Sequence, residues 1–527
     1  MNLLKSTGII GGMTLVSRLF GFARDMMISR LLGGTALGDA WQIAFQLPNI
    51  FRRLFAEGAF SAAFVPLFNR MMAADGERDH QKSERFANET LSVFIPVLLI
   101  FSALMMVLMP WAIWLIDDFG AGGRTTDTSI ALARICFPYL ALISLMTLFG
   151  AILNSISRFA AVAFAPVLMN ICMIAAMLTG IAQGLASDPE AIAFYLAWSV
   201  TIAGVLQMLW LYYHARRAGF RFRIMRPRLT RDVRDLGVLI LPAVFGAGIY
   251  QISRFIDLFF LGRLEEGSFV FLALADRLNQ LPLGIIGIAL GTAILPALSR
   301  FIAQDDAGGA QRVQSNAIEL GLLLTVPAAV GLYCAAQPLV SAFYYGGKFD
   351  LGDVQTTAKV LASLVIGLPA YVMVKVLTPG FFARRDTRTP VYTAGVSLVI
   401  NIALNMALIP VMGVAGLALA GSISAWINCA LLYSVLHRRG HYTFEADLVG
   451  RAARIALSAL AMGVVILWLA PYGTAHYGAG AGARVGSILA LVGTGGVVYF
   501  GLAWLTGAID RSKIAMLTRR TNSTRKV

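Results

Sequence analysis

The chain has 527 residues, 58% of them hydrophobic and only 13% charged, with a mean hydropathy of +0.73. Soluble domains carry about 25% charged residues, so this composition excludes a soluble enzyme and describes a polytopic membrane protein. The net charge of +15 fits basic cytoplasmic loops rather than a nucleic-acid surface.

A spanning helix needs about 20 mostly apolar residues. In chain order such segments lie near 9–32, 37–68, 90–116, 129–154, 160–182, 191–213, 236–262, 268–299, 316–337, 356–382, 389–411, 413–436, 451–470 and 484–506. They number about fourteen and predict an all-α membrane fold. The first two differ from the rest. The first holds Arg18, Arg24 and Asp25; the second holds Asp39, Arg52, Arg53 and Glu57. A charge at membrane depth costs roughly 2.5–3.5 kcal/mol on insertion scales. Such side chains persist where they face a wet cavity or a partner, so these segments predict a cavity that receives an anion.

On the first segment Ser17 and Arg24, and likewise Arg18 and Asp25, stand seven residues apart. That is close to two turns, so each pair shares a face. Gly21 between them permits close approach or a bend. On the second, Asp39, Gln42, Gln46, Asn49, Arg53 and Glu57 recur at helical spacing as one polar stripe. Pro48 interrupts the stripe, and periodicity alone favours Arg53 over Arg52. Arg254 and Asp257 are three residues apart on the seventh segment, and Asp276 and Arg277 lie on the eighth.

The planar fork of arginine suits phosphate better than the point charge of lysine, and several arginines around one cavity fit a diphosphate. The alternative is that Arg18–Asp25 and Arg254–Asp257 are buried ion pairs holding helices together. Arg18, Arg24, Arg52, Arg53, Arg254 and Arg277 outnumber Asp25, Asp39, Glu57, Asp257 and Asp276, which leaves positive charge for a ligand. Lys359 reads as interfacial; Lys375 and Arg134 receive no role.

The connections set the topology. Arginine and lysine gather at 70–86, 214–235, 383–388, around 438–454 and in the tail, whereas 183–190 and 263–267 are poor in them. The positive-inside rule then places both termini in the cytoplasm. An internal repeat is also present. Gln46-Leu47-Pro48 is echoed by Gln280-Leu281-Pro282, Pro66 to Arg70 by Pro296 to Arg300, and Phe137-Pro138 by Leu368-Pro369. The offset is six segments, so the halves keep one orientation and are related by an axis along the membrane normal. The expected organisation is an N-terminal six-helix lobe at 1–215, a basic cytoplasmic linker at 216–235, a C-terminal six-helix lobe at 236–437, and two extra helices with a basic tail at 438–527. A ligand site at the interface of the lobes belongs to this plan. The four cysteines lie inside apolar segments and the five histidines in loops or at segment ends, without the spacing of a zinc site or a disulfide framework.

Several runs together carry a resemblance. They are Met1 to Ser6, Ser17-Arg18 with Gly21-Phe22-Ala23-Arg24-Asp25, Asp39-Ala40, Leu47-Pro48-Asn49, Arg52 to Ser61, and Ala275-Asp276-Arg277-Leu278. The chain resembles the MurJ/MviN lipid II flippases of the multidrug/oligosaccharidyl-lipid/polysaccharide exporter superfamily over essentially its whole length. The resemblance implies a monomeric, multi-pass protein of the bacterial inner membrane. It would move lipid II, the undecaprenyl-diphosphate-linked disaccharide pentapeptide, by alternating access. It also implies that Arg18, Arg24, Arg52 and Arg277 line the cavity, with Asp25, Asp39 and Asn49 around them. The family favours Arg52 where periodicity favours Arg53, and both are kept, with Glu57. The lipid tail would lie against the last two helices. Two departures stand out. Gln280 occupies a position that is acidic in some members. Asp257, Asn401 and Asn405 fit a sodium site found in some members, but Gly421 stands where that site has a threonine. No organic cofactor is implied, and the partners are lipid II and membrane lipids. The rival readings are an exporter of another polyprenyl-diphosphate glycan or of drugs, a membrane-embedded transferase, and a scaffold without transport. A drug exporter would carry acids and aromatics in place of the arginines, and a transferase would show acidic or histidine clusters at a membrane face.

Overall fold

The computed structural model describes residues 3–52, 60–75, 80–118, 126–474 and 481–509. Among these the chain is helical, and the only β-type pairing is an isolated bridge between Gly346 and Phe349. The helices are α1 (Leu3–Leu32), α2 (Ala36–Arg52), α3 (Ser61–Asp75), α4 (Gln81–Ile113), α5 (Thr126–Cys136), α6 (Tyr139–Ser155), α7 (Phe159–Ala182), α8 (Pro189–Arg217) and α9 (Arg231–Leu261). They continue with α10 (Ser268–Ala303), α11 (Ala307–Cys334), α12 (Ala336–Tyr344), α13 (Leu351–Val365), α14 (Leu368–Phe382), α15 (Arg388–Met412), α16 (Val414–Arg438), α17 (Ala446–Thr474) and α18 (Ala481–Leu505). Eleven stretches among the described residues are long and apolar enough to cross a membrane, with α5–α6 and α13–α14 each counting as one. The expected count of about fourteen segments also took in α1, α2 with α3, and α9, which are not among the eleven.

Packing divides the chain into two compact units. Unit one comprises Met1–Val270 with Gly346–Asp350, and unit two comprises Phe271–Tyr345 with Leu351–Val527. The sequence places a lobe boundary in 216–235, whereas packing groups α9 with unit one, where Phe255 meets Phe51 edge-to-face at 5.9 Å. The short segment Gly346–Asp350 joins unit one because the Lys348 N–H donates to the Arg30 carbonyl at 2.8 Å.

Unit one is built on phenyl rings. Phe60, Phe64 and Phe68 fall one turn apart and stack at 5.2 and 5.4 Å. Phe94 and Phe86 of α4 stack on Phe60 and Phe64 at 4.8 and 5.4 Å. Phe60, Phe64, Phe68 and Phe86 are all buried, and truncating one such ring costs about 3–5 kcal/mol.

The basic connection after α8 is held in place. Gly219, at φ +105°, ends the helix in a conformation that other residues adopt only with strain. Beyond it the chain runs extended along the first turns of α4. Glu84, Asn88 and Ser92 recur every four residues there and accept from the N–H groups of Arg221, Arg223 and Met225 at 2.9, 2.9 and 2.8 Å. Asn88 also donates to the Arg221 carbonyl at 3.0 Å. Alternation then turns Phe220 and Phe222 toward the core and leaves Arg221 and Arg223 exposed.

Unit two repeats the device. Gln311, Ser315 and Glu319 have the same spacing on α11. Gln311 exchanges hydrogen bonds with the Thr443 backbone, Ser315 meets the Tyr442 hydroxyl at 3.2 Å, and Glu319 pairs with Arg451 at 3.0 Å. The echo was in the sequence: Arg216-Arg217 followed by Gly219-Phe220-Arg221-Phe222 answers Arg438-Arg439-Gly440 followed by Tyr442-Thr443-Phe444.

Prolines break helices, and side chains repair them. Pro110 has no N–H for the Met106 carbonyl, and Arg134 Nε donates to that oxygen at 3.0 Å. Pro327 likewise leaves the Leu323 carbonyl without its helical donor, and the Tyr499 hydroxyl supplies one at 2.7 Å. At the α5–α6 break Thr201 of α8 donates to the Ile135 carbonyl at 2.5 Å. At the α13–α14 break Ser422 of α16 donates to the Ser363 carbonyl at 2.7 Å and Trp426 Nε1 to the Ile366 carbonyl at 2.9 Å. An unpaired backbone group in an apolar interior costs several kcal/mol, so each break persists because a neighbouring helix satisfies it.

Candidate functional site

The most constrained charge in unit one is Arg24, which is only 6% exposed. Its Nε and Nη2 donate to Asp25 Oδ1 at 2.9 and 2.7 Å, and its Nη1 donates to Asn170 Oδ1 of α7 at 2.9 Å. The guanidinium also lies 5.6 Å from the centre of the Phe45 ring, within cation–π range. Asn170 in turn donates to the Ser17 and Pro166 carbonyls at 3.1 and 3.2 Å. Ser17 and Arg24 therefore meet the same side chain, as two residues seven apart on one face should. Gly21 lies between them, and a β-carbon there would sit 3.6 Å from the Asn170 amide. The acid is shared differently from the spacing argument: Asp25 pairs with adjacent Arg24. Arg18 is half-buried and makes no ion pair with a described residue.

The polar stripe of α2 is present. Asp39, Gln42, Gln46 and Asn49 are partly exposed, whereas Ala40, Trp41, Ile43, Ala44, Leu47, Pro48 and Ile50 are buried. Asn49 donates to the Phe45 carbonyl at 2.8 Å and accepts from Arg52 Nε at 3.1 Å, so Arg52 extends the stripe by one step. Arg53 and Glu57 lie outside the described residues. Asp39 has a structural task. Its two oxygens accept from the N–H groups of Gly267 and Val270 at 2.7 and 3.1 Å. A carboxylate there satisfies otherwise unpaired donors at the start of α10 and complements the helix dipole.

Arg277 lies nine residues further along α10 and is half-buried. Gln280 donates to Asp276 Oδ2 at 2.5 Å. On α15, Asn401 and Asn405 are buried, with Asn405 Nδ2 donating to Asn401 Oδ1 at 3.2 Å, while Asn405 Oδ1 is buried without a hydrogen bond. A β-carbon on Gly421 would lie 3.5 Å from the Tyr371 hydroxyl. Asp257 is half-buried on α9 in unit one, as is Arg254. No cluster of three or more His, Cys, Asp or Glu suited to a metal occurs among the described residues.

The family model described as "Lipid II flippase MurJ" matches residues 28–484. The chain belongs to the lipid II flippase MurJ family. A probable lipid II flippase MurJ of Rhizobium tropici is 37% identical over 524 residues, covering 99% of this chain and 97% of that protein. The lipid II flippase MurJ of Burkholderia cenocepacia is 32% identical over 518 residues, covering 96% and 98%. Among solved structures, a lipid II flippase MurJ in an inward closed conformation superposes with TM-score 0.76 at 23% identity, covering 94% of this chain and 98% of that one. An inward-facing multidrug resistance transporter of the MATE family, MOP superfamily, superposes with TM-score 0.63 at 15% identity, covering 82% and 97%. Both likenesses describe the fold.

Within this MurJ-family chain the structure joins Ser17, Arg24 and Asp25 in one network and Asn49 with Arg52 in another. It assigns Asp39 to the start of α10. Asn170, the second partner of Arg24, was missed in the sequence. The available signal was its echo, since Asn170 stands about 230 residues before Asn401, each on the fifth segment of its half.

Proposed function

We propose that this chain moves lipid II from the cytoplasmic to the periplasmic leaflet by alternating access, with Arg18, Arg24, Arg52 and Arg277 facing the diphosphate. Family membership over 28–484 carries the assignment. The fold alone does not, because multidrug transporters share it; the arginines distinguish the substrate. In support, Arg24 is held in one orientation by Asp25 and Asn170, and preorganised donors bind an anion without reorganising. Asp25 and Asn49 hold Arg24 and Arg52 by hydrogen bonds, and Asp39 stays in the proposed set on its place in the α2 stripe. Arg53 and Glu57 stay in the proposed set on their place in the sequence. The proposed working unit is a monomer in the bacterial inner membrane. Depleting the protein and measuring whether lipid II becomes inaccessible from outside the cell tests the reading; unchanged accessibility rejects it.

The proposed topology puts both termini in the cytoplasm. Ala186 and Arg226 are both exposed, so a cysteine at 186 should react with an impermeant reagent in intact cells and one at 226 should not. Labelling of 226 would sink this orientation. Coupling to sodium is proposed through Asp257, Asn401 and Asn405, supported by the bare oxygen of Asn405, since hard cations take oxygen donors. Gly421 supplies no ligand. Transport that is unchanged when sodium is replaced removes this part.

A further inference from the structure

We infer that the loop Arg223–Leu229, between α8 and α9, docks on anionic phospholipid, with Ile224 and Leu229 seated among the headgroups and Arg226 and Arg228 on their phosphates. This goes beyond the flippase reading and does not depend on which lipid is moved.

The depth of the loop follows from α4. That helix has 33 residues, about 50 Å of rise, against a hydrocarbon layer of about 30 Å. Its charged residues, Lys82, Glu84, Arg85 and Glu89, all precede Thr90, and its exposed large apolar side chains begin at Val97. The first turns therefore stand outside the hydrocarbon. The connection descends these turns from Glu84 to Ser92, where the Met225 N–H is held. It then turns back, since the Thr230 hydroxyl donates to Glu89 Oε2 at 2.7 Å. Ser92 precedes Val97 by five residues, about 7.5 Å, and the headgroup layer is about 5–7 Å deep on each face. The bend of the connection is thus level with the headgroups. The adjoining helices agree. The exposed side of α8 passes from Tyr213 to Arg216 and Arg217, and that of α9 from Arg234 and Asp235 to Val238 and Leu239.

The composition of the bend selects the partner. Ile224 and Leu229 are 76% and 79% exposed, a poor position for two branched apolar side chains in water and a good one at a bilayer surface. Arg223, Arg226 and Arg228 are exposed beside them and form no ion pair with a described residue, and the loop contains no acid. The positive-inside rule accounts for the charge; it does not ask for Ile224 and Leu229. Arginines with apolar neighbours at headgroup level suit an anionic lipid surface, where the guanidinium fork meets phosphate. The hydrogen bonds from Asn88 and Ser92 fix the backbone on one side of the bend, so docking requires little further ordering.

Hydrogen exchange of the full-length protein in nanodiscs tests this. The N–H groups of Ile224, Arg226, Arg228 and Leu229 donate to no described residue, so their exchange reports cover from outside the chain. Nanodiscs of phosphatidylcholine alone are compared with nanodiscs that also contain phosphatidylglycerol. An arginine near an anionic surface is worth about fivefold, so exchange over 224–229 should be at least about tenfold slower with phosphatidylglycerol, and high salt should remove the difference. Arg226→Gln combined with Arg228→Gln should exchange alike in both lipids. Ile224→Ser combined with Leu229→Ser should raise exchange in the anionic lipid. All four side chains are exposed, so both variants should melt as the wild type does. Equal exchange of the wild type in the two lipids would overturn the inference, as would a phosphatidylglycerol effect that survives the double glutamine variant. Slower exchange on adding inorganic phosphate to the protein in neutral detergent would also overturn it, by making the loop a site for a free anion.

Discussion

Asn170 accepts from Arg24 at 2.9 Å while donating to the backbone of Ser17, two turns earlier on the same helix. One amide thus fixes both the rotamer of Arg24 and the seating of α1 on α7. Replacing Asn170 with Leu removes an acceptor from a buried guanidinium, a loss of about 1.5–3 kcal/mol. Protein level and transport should fall together. Asn170→Asp keeps an acceptor but adds a negative charge, so protein should accumulate while transport drops at least about tenfold. Full complementation by Asn170→Asp would show that the net charge around Arg24 is immaterial.

Arg24 and Arg18 should behave differently. Arg24 is buried and paired with Asp25, and removing one partner of a buried pair costs about 3–5 kcal/mol. Arg24→Ala should therefore lose protein as well as transport. Arg24→Lys keeps the charge but not the three-way fork, and should accumulate with impaired transport. Arg18 has no such pair, so Arg18→Ala should accumulate normally and still fail to support growth of a depleted strain. Immunoblot and complementation, scored on the same cultures, separate these outcomes.

Asp39→Ala removes a cap worth about 0.5–2 kcal/mol from the start of α10. Asp39→Asn retains an acceptor and should recover most of the lost thermal stability in detergent. Equal melting temperatures for the two variants would mean that Asp39 acts as a charge and not as a cap.

Asp386 gives a pH dependence. It accepts from the Thr389 hydroxyl at 2.6 Å and the Thr389 N–H at 3.0 Å, and pairs with Arg439 at 2.6 Å. These bonds, those from Thr389 foremost, hold its carboxyl well below the usual carboxylate range. A depressed folded-state value means that the stabilisation is complete above the unfolded value, near 3.9 for aspartate, and is lost as pH falls through the lower folded value. Asp386→Asn should abolish the acid limb of this dependence at the start of α15. Hydrogen exchange of the first turn of α15 between pH 2 and 5 would read it out, and an identical profile in the variant would refute it.

Periodicity was a reliable guide to which residues share a face. The α2 stripe, and the common side of Ser17 and Arg24, followed from spacing alone because a helix repeats every 3.6 residues. What stands opposite a face was not legible. Asn170 comes from a helix about 150 residues away, and the donors capped by Asp39 lie more than 200 residues on. Spacing also put the wrong base opposite Asp25: it matches Arg18 as the alternative ion pair, and the acid pairs with adjacent Arg24. The arginines of the connection after α8 mark it in the sequence as a basic cytoplasmic linker, while the phenylalanines between them carry the packing.

That connection has a built-in length. Four residues of helix rise about 6.0 Å, and two residues of extended chain advance about 6.6–6.8 Å. Glu84, Asn88 and Ser92 can thus match Arg221, Arg223 and Met225 rung by rung, like two rulers of nearly equal pitch. The slippage is under about 1 Å per rung, tolerable for three rungs and progressively worse beyond. The fourth rung would set Pro96 against Pro227, one offering no side-chain acceptor and the other no N–H. The ladder therefore ends where the two pitches begin to drift apart, and Pro227 releases the chain to travel on to Thr230 and α9. Inserting two residues between Met225 and Pro227 would lengthen the free chain without adding a rung.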